Sequence, residues 1–96
     1  MAKGYLIARI RVTDPAQFAV YAKLAAAASQ KHGAKPLARG GRFEILEGEE
    51  RERNVVLEFD SFEKARDYYH SDDYQAAKKE REGAGVAEFV VVEGVD

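Results

Sequence analysis

Cysteine is absent from this 96-residue sequence, and its absence excludes several kinds of chemistry. Without cysteine there is no disulfide, no thiolate nucleophile and no cysteine-ligated metal. Histidine is scarce as well: His32 and His70 are far apart in the chain, and no acidic residue stands at the spacing of a catalytic triad. We therefore predict neither a dedicated transition-metal site nor a hydrolase triad.

The sequence also lacks a large excess of one charge. Its 15 lysines and arginines are balanced by 17 acidic residues, which leaves a formal net charge of −2. Nucleic-acid binding needs a concentrated basic surface, so we predict no nucleic-acid partner. There is no apolar run long enough to span a bilayer, and the N-terminus lacks the basic and apolar regions of a signal peptide. We expect no membrane association and, by default, a cytoplasmic location.

The length of the chain suits one small domain, residues 1–96. Within it, several segments alternate between apolar and polar residues. Period-two alternation predicts four strands, at 4–12, 36–48, 54–60 and 86–93. Asp14-Pro15, Ser61 and Ser71 have the chemistry of helix starts and predict three helices, the first ending near Gly33. The second and third helices follow each other directly and count as one unit here. The order is then β-α-β-β-α-β, which predicts an α+β, ferredoxin-like plait.

In such a plait the helices cover only one face of the sheet. The uncovered face is predicted to carry Tyr5, Ile7, Arg9, Val56 and Glu58, together with one side of the last strand, which is apolar on both sides. A large exposed apolar patch is unfavourable. We therefore predict a homodimer, packed sheet to sheet about a two-fold axis.

A set of short motifs, in order along the chain, is similar to one known family. These motifs are Gly4-Tyr5, Asp14-Pro15, Tyr21, Arg39-Gly40-Gly41, Leu46-Glu47-Gly48, Glu58-Phe59, Ser61, Ala65, Tyr69-x-Ser71-x-x-Tyr74 and Val92-Glu93-Gly94. The sequence resembles the domain of unknown function 1330 family, within the dimeric α/β-barrel superfamily, over essentially its whole length. The resemblance implies a homodimer whose two sheets form a barrel enclosing pockets. It implies no reaction, and it transfers no catalytic residue.

The strongest candidate for a ligand site is Arg39 beside Gly40-Gly41. Glycines let a backbone approach a ligand closely, and an arginine fork suits a carboxylate. The pair is not a phosphate loop or a dinucleotide fingerprint, because it lacks the Lys-Ser/Thr and the further glycine that those motifs need, and we predict no cofactor. The alternative is that Arg39 is a dimer contact paired with Glu58 or Glu93.

Arg9 and Glu58 are predicted to lie on neighbouring strands and on the same face. They are candidates for a buried pair that lines a pocket with Arg39, in which the carboxylate acts as a general base. A structural ion pair at the dimer interface is the alternative. Tyr5 and Tyr74 are predicted at the mouth of a cavity, whereas Tyr21 and Tyr69 are interpreted as core residues with satisfied hydroxyls.

Two classes of function follow from these candidates. The first is a cofactor-free enzyme acting on a small anionic or aromatic metabolite, which requires Arg39, Arg9 and Glu58 to converge on a pocket. The second is a non-catalytic dimeric module that binds a metabolite or a protein, which the lack of a strong catalytic constellation favours.

Overall fold

The structure, a computed structural model, describes residues 2–95 and contains four strands and three helices. Their bounds are β1 Gly4–Val12, α1 Pro15–Lys31, β2 Lys35–Arg39, β3 Arg53–Phe59, α2 Phe62–His70, α3 Asp72–Arg81 and β4 Gly85–Glu93. The strands form one antiparallel sheet in the order β2-β3-β1-β4. This arrangement confirms the α+β, ferredoxin-like plait.

Each helix begins at a side chain that caps its free backbone N–H groups. The Gln17 backbone N–H donates to Asp14 Oδ1 at 3.2 Å, the Lys64 N–H to Ser61 Oγ at 3.1 Å, and the Tyr74 N–H to Ser71 Oγ at 3.2 Å. Such caps fix where a helix starts, which is why the three starts are readable in the sequence. Within residues 2–95 no helix combines the length and the apolar character needed to cross a membrane.

The two faces of the sheet differ as the alternation predicted. Leu6, Ala8 and Ile10 of β1 are at most 2% exposed and pack under the helices. Their cross-strand neighbours Leu57 and Phe59 complete this inner face. The second set of β1 residues faces away from the helices and is only partly covered within one chain. This uncovered surface, centred on Tyr5, Ile7 and Arg9 and their neighbours on β3 and β4, is called the open face below.

The predicted second strand is wrong beyond its first part. The strand β2 ends at Arg39, and residues 41–46 belong to no helix or strand and pair with no strand among residues 2–95. The strand is also irregular between Pro36 and Ala38, where the register shifts. The chain leaves the sheet at Gly40, whose φ of +72° ends the pairing.

Candidate functional site

A cavity lies between the inner face of the sheet and helix α1. The space open to a water-sized molecule is about 50 Å³, and the wider region free of protein atoms, open solvent included, is about 460 Å³. The walls are apolar for the most part, as in many small-molecule sites. They consist of Leu6, Ala8, Ile10, Val55, Leu57 and Phe89 from the sheet and Ala22, Ala25, Ala26 and Ser29 from α1, with the Ser29 hydroxyl donating to the Ala26 carbonyl at 2.9 Å. Alanines on α1 create this space, because a larger side chain at those positions would fill it.

The closed end of the cavity is formed by tyrosines. Tyr68 and Tyr74 are at most 2% exposed and Tyr21 is 5% exposed, and all three line the cavity. The Tyr68 hydroxyl donates to the Ala25 carbonyl at 3.2 Å, so its hydrogen is already used. The Tyr21 and Tyr74 hydroxyls lie 2.9 Å apart and form a hydrogen bond with each other.

The Tyr21–Tyr74 pair has one hydrogen to spare. Two hydroxyls carry two hydrogens, and their mutual bond uses only one. No acceptor for the second hydrogen lies among residues 2–95, since the other contact of the pair is a donor, Arg81 Nη2, at 3.5 Å from the Tyr74 oxygen. The pair can therefore donate one hydrogen bond to a molecule in the cavity.

Arg81 stands behind this pair and places a positive charge near it. Its guanidinium carbon lies 5.3 Å from the Tyr21 ring centroid and 4.7 Å from the Phe89 ring centroid. Stacking on aromatic faces fixes an arginine without using its N–H donors. The Arg81 Nε atom is buried and has no hydrogen-bond partner among residues 2–95. A negative charge that develops at the closed end would be stabilised by this cation.

Burial keeps the three phenols protonated. It raises the pKa of Tyr21 above the ordinary value for a phenol, although the hydrogen bond from Tyr74 and the charge of Arg81 act in the opposite direction. The pKa of Tyr74 is raised by burial and by the adjacent Tyr21, and that of Tyr68 by burial and by the adjacent Tyr74. The hydroxyls are consequently neutral hydrogen-bond donors near pH 7 and do not act as bases.

Two arginines, Arg39 and Arg53, also line the cavity, and because they are more exposed than the buried tyrosines we assign them to its mouth. Arg39 is exposed at the end of the edge strand β2, and Arg53 is half-buried at the start of β3. The Arg53 guanidinium carbon lies 5.3 Å from the Phe18 ring centroid. Neither arginine forms a salt bridge within residues 2–95, so the pairing of Arg39 with Glu58 or Glu93 is not found within the chain.

The seven residues proposed from the sequence fall in three places. Arg39 and Tyr74 line the cavity, although Tyr74 lies at its closed end and not at its mouth. Tyr5, Arg9 and Glu58 lie on the open face, on the opposite side of the sheet. Gly40 and Gly41 are exposed residues of the β2–β3 connection and do not line the cavity.

The predicted convergence of Arg39, Arg9 and Glu58 is therefore wrong within one chain. Arg39 is opposite Val55 on the helix side of the sheet, whereas Arg9 and Glu58 are on the open face. Arg9 and Glu58 also do not pair with each other. Glu58 is opposite Tyr5, four positions along β1 from Arg9, which corresponds to roughly 13 Å in a strand.

The actual partners of these open-face residues are different. The Tyr5 hydroxyl donates to Glu58 Oε2 at 3.4 Å. Arg9 Nη1 lies 3.8 Å from Glu88 Oε1, and Arg9 Nε donates to Asn54 Oδ1 at 3.3 Å. No carboxylate or imidazole of residues 2–95 lines the cavity, so a general base does not come from these groups.

Three contributors to the site are missed by reasoning from the sequence. Tyr21 is interpreted there as a core residue, and Tyr68 and Arg53 are not singled out. The signal for Arg53 is the alternation of β3, because Arg53 is in phase with Val55, Leu57 and Phe59, which face the core. The signal for Tyr21 is its position on the same helix face as the small residues Ala25 and Ala28, which leave room beside a large ring.

Fold and site together define the class of protein: a ferredoxin-like α+β chain with a cavity between its sheet and its first helix. Residues 3–95 match the sequence profile of the family described as Domain of unknown function (DUF1330), and the chain belongs to this family. The resemblance seen in the sequence motifs is confirmed. A search of functionally curated proteins gives no match.

Several solved structures are similar to this chain. A protein of unknown function from Rhodopseudomonas palustris is 15% identical with a TM-score of 0.77, over 99% of this chain and 84% of that one. SnoaB, a cofactor-independent oxygenase from Streptomyces nogalater, is 12% identical with a TM-score of 0.62, over 100% and 96%. A dimeric protein of unknown function with a ferredoxin-like fold from Bacteroides fragilis is 16% identical with a TM-score of 0.60, over 95% and 95%. At these identities the similarity shows a shared fold.

Proposed function

We propose that this protein is a cofactor-free enzyme that binds a small anionic or aromatic metabolite in the cavity between the sheet and α1. The observation that carries the proposal is the Tyr21–Tyr74 hydroxyl pair, which has one hydrogen to donate inside an apolar enclosure. A donor fixed in a water-poor site stabilises negative charge that develops on a substrate oxygen. Arg81 behind the pair strengthens this effect.

The apolar walls define the rest of the substrate. Rings such as Phe89 and Tyr68 favour a flat, aromatic body, since aromatic surfaces pack well against each other. The fold shared with a protein described as a cofactor-independent oxygenase supports testing for reactions that consume oxygen.

A direct test is to incubate the purified protein with a panel of small phenols and aromatic acids and to follow product formation by mass spectrometry and oxygen uptake. We expect turnover without an added cofactor. The double variant Tyr21→Phe/Tyr74→Phe, which removes both hydroxyls but keeps the rings, should lower the turnover number by about a hundred-fold if the hydroxyl pair stabilises charge in the transition state, whereas either single variant leaves one hydroxyl whose hydrogen is still unused. The matched control is Tyr5→Phe, whose hydroxyl is on the open face. Equal turnover of wild type and the double variant Tyr21→Phe/Tyr74→Phe would refute the catalytic role.

A second function is favoured by a specific feature of the same cavity. Since no carboxylate or imidazole of the described chain, residues 2–95, lines it, the cavity offers no group that takes up a proton near neutral pH. A non-catalytic module that binds a small metabolite needs no such group. Binding by the panel without turnover, seen as a ligand-dependent rise in melting temperature, would select this alternative.

The homodimer belongs to the same proposal. Its support is the apolar character of the open face, where Val86, Val90 and Val92 of β4 are 43–53% exposed in the single chain, and the dimeric state named for the Bacteroides fragilis protein of the same fold. The cytoplasmic location and the absence of nucleic-acid and cofactor partners stay predictions from the sequence.

A further inference from the structure

We propose that Arg39 and Arg53 form a carboxylate clamp at the mouth of the cavity, so that the ligand is a small aromatic carboxylate; this inference rests on the proposed binding in the cavity. Both side chains line the same mouth. Together they bring two positive charges to a cavity that no other charged side chain of residues 2–95 lines, and no carboxylate among these residues pairs with either of them.

The hairpin brings the two arginines together from positions 14 residues apart in sequence. Arg39 is opposite Val55 in the β2–β3 ladder, and the Gly40 N–H donates to the Asn54 carbonyl at 3.1 Å. Arg39 is therefore the last residue before the 40–52 connection, and Arg53 is the first after it. Both side chains point to the helix side of the sheet, because their ladder partners Val55 and Ile10 do so.

Arg53 is held in place by contacts that leave its donors free. Its guanidinium stacks near the Phe18 ring, and a side chain at Gly40 would begin 3.3 Å from Arg53 Nη1. The left-handed Gly40 therefore ends β2 and also leaves room for this guanidinium. Arg53 makes no hydrogen bond through its side chain within residues 2–95, so its five N–H donors remain for a ligand.

The positions of the polar groups specify the ligand. A hydroxyl pair with a spare hydrogen lies at the closed end, two arginines lie at the mouth, and apolar walls lie between them. The arginine fork matches the two oxygens of a carboxylate. The complementary molecule is an aromatic ring that carries a carboxylate at one edge and a hydroxyl or carbonyl oxygen at the opposite edge.

The test compares 4-hydroxybenzoate with 4-hydroxybenzamide, which has the same shape but no charge. Dissociation constants would be measured by chemical-shift titration of the labelled, full-length protein. We expect the acid to bind the wild type about ten-fold more tightly than the amide, and Arg39→Gln and Arg53→Gln each to remove about this ten-fold preference. The double variant Tyr21→Phe/Tyr74→Phe, which removes both hydroxyls, should weaken both probes to the same extent, since it acts at the other end.

Two further variants separate a clamp from simpler effects. Arg42→Gln makes the same change in net charge at an exposed arginine that does not line the cavity, and it should leave the preference intact. Arg53→Lys keeps the charge and the fold but loses the fork, and it should retain only part of the preference.

Each result supports or overturns the clamp. If acid and amide bind the wild type equally well at the cavity, the clamp is overturned while the proposed binding in the cavity stands. If Arg42→Gln reduces the preference for the acid as much as Arg39→Gln does, the preference comes from general electrostatic attraction and the clamp is overturned. If neither probe nor a wider panel of aromatic acids shifts cavity resonances, both the clamp and the proposed function are overturned.

Discussion

The chemical role of each tyrosine is decided by its neighbours. Tyr5, on the open face, donates to a carboxylate, and Tyr68 donates to a backbone carbonyl. Only Tyr21 and Tyr74 use their hydroxyls on each other, and this leaves a hydrogen without an acceptor among residues 2–95. The spare donor follows from this pairing of two like groups, since a hydroxyl paired with a carbonyl has no hydrogen left.

A second contact between side chains gives a prediction about acid stability. His32, at the end of α1, and Asp73, in the first turn of α3, are joined by a contact of 3.3 Å between His32 Nε2 and Asp73 Oδ1. Hydrogen bonds from His32 and then from Ser71 lower the pKa of Asp73 from its ordinary value to about 2. The folded state thus binds the proton of Asp73 less tightly than the unfolded chain does.

The sign of the effect follows from this difference. A carboxylate whose pKa is lowered by folding stabilises the folded state above its unfolded pKa, near 4, and loses this contribution as the pH falls toward 2. Asp73→Asn should therefore reduce the free energy of unfolding at pH 6, and the reduction should shrink as the pH is lowered from about 4 to 2. Urea unfolding at a series of pH values measures it.

The neighbouring acid provides the control for Asp73. Asp72 is also in the first turn of α3, where any carboxylate interacts favourably with the helix dipole, but it has no contact with His32. Asp72→Asn leaves the His32–Asp73 contact in place, so it should keep the loss of stability that the wild type shows as the pH falls from about 4 to 2. An identical pH dependence for the two variants would mean that the His32 contact contributes nothing.

At the scale of elements, the two glycines of the Gly40-Gly41 pair have different structural roles. Gly40 has a φ of +72°, in the region that L-residues with a side chain avoid, whereas Gly41 has no positive φ, and a Cβ atom added to it would have open space within 4 Å. Gly40→Ala should lower the free energy of unfolding by about 1–2 kcal/mol, and Gly41→Ala should be neutral or slightly stabilising. Thermal and urea unfolding of the two variants would decide this, and equal effects would contradict it.

The sequence predicts the elements whose signals are local. Alternation along 4–12 identifies β1 and its buried face, and the side chains of Asp14, Ser61 and Ser71 identify the helix starts. The prediction fails at 41–48, because an apolar-acidic alternation predicts a strand only if another strand is available for pairing. Residues 41–46 have no such neighbour among residues 2–95.

The site is less predictable because it depends on register. Arg39 is identified as a candidate, but its placement with Arg53 requires the β2–β3 pairing and the irregularity between Pro36 and Ala38. That irregularity turns Arg39 toward the helix side of the sheet, whereas Arg9 remains on the open face. Since a shift of one residue moves a side chain to the other face, a small error in register separates residues that were expected to meet.

At the scale of the whole molecule, the sheet is covered on one side only. Helices α1, α2 and α3 pack against the inner face, while Ile7, Val56 and Val90 form the centre of the open face, which Val92 extends and Arg9, Glu88 and Asn54 border on one side. A chain of this size buries a modest share of its surface, so an apolar face left in water is a large loss. Pairing of two open faces about a two-fold axis would remove that loss without any new element.

This pairing predicts a dimer that one charge can disrupt. Light scattering after size exclusion should give twice the chain mass at micromolar concentration. Val90→Asp places an unpaired charge on the open face, twice in a two-fold interface, and should weaken the dimer by at least about a hundred-fold because burying a charge without a partner is costly. Val20→Asp, at a 44% exposed position on α1, makes the same change outside the open face and should leave the dimer intact. A wild-type chain that is monomeric at these concentrations, or a dimer disrupted by Val20→Asp and not by Val90→Asp, would exclude association through the open face.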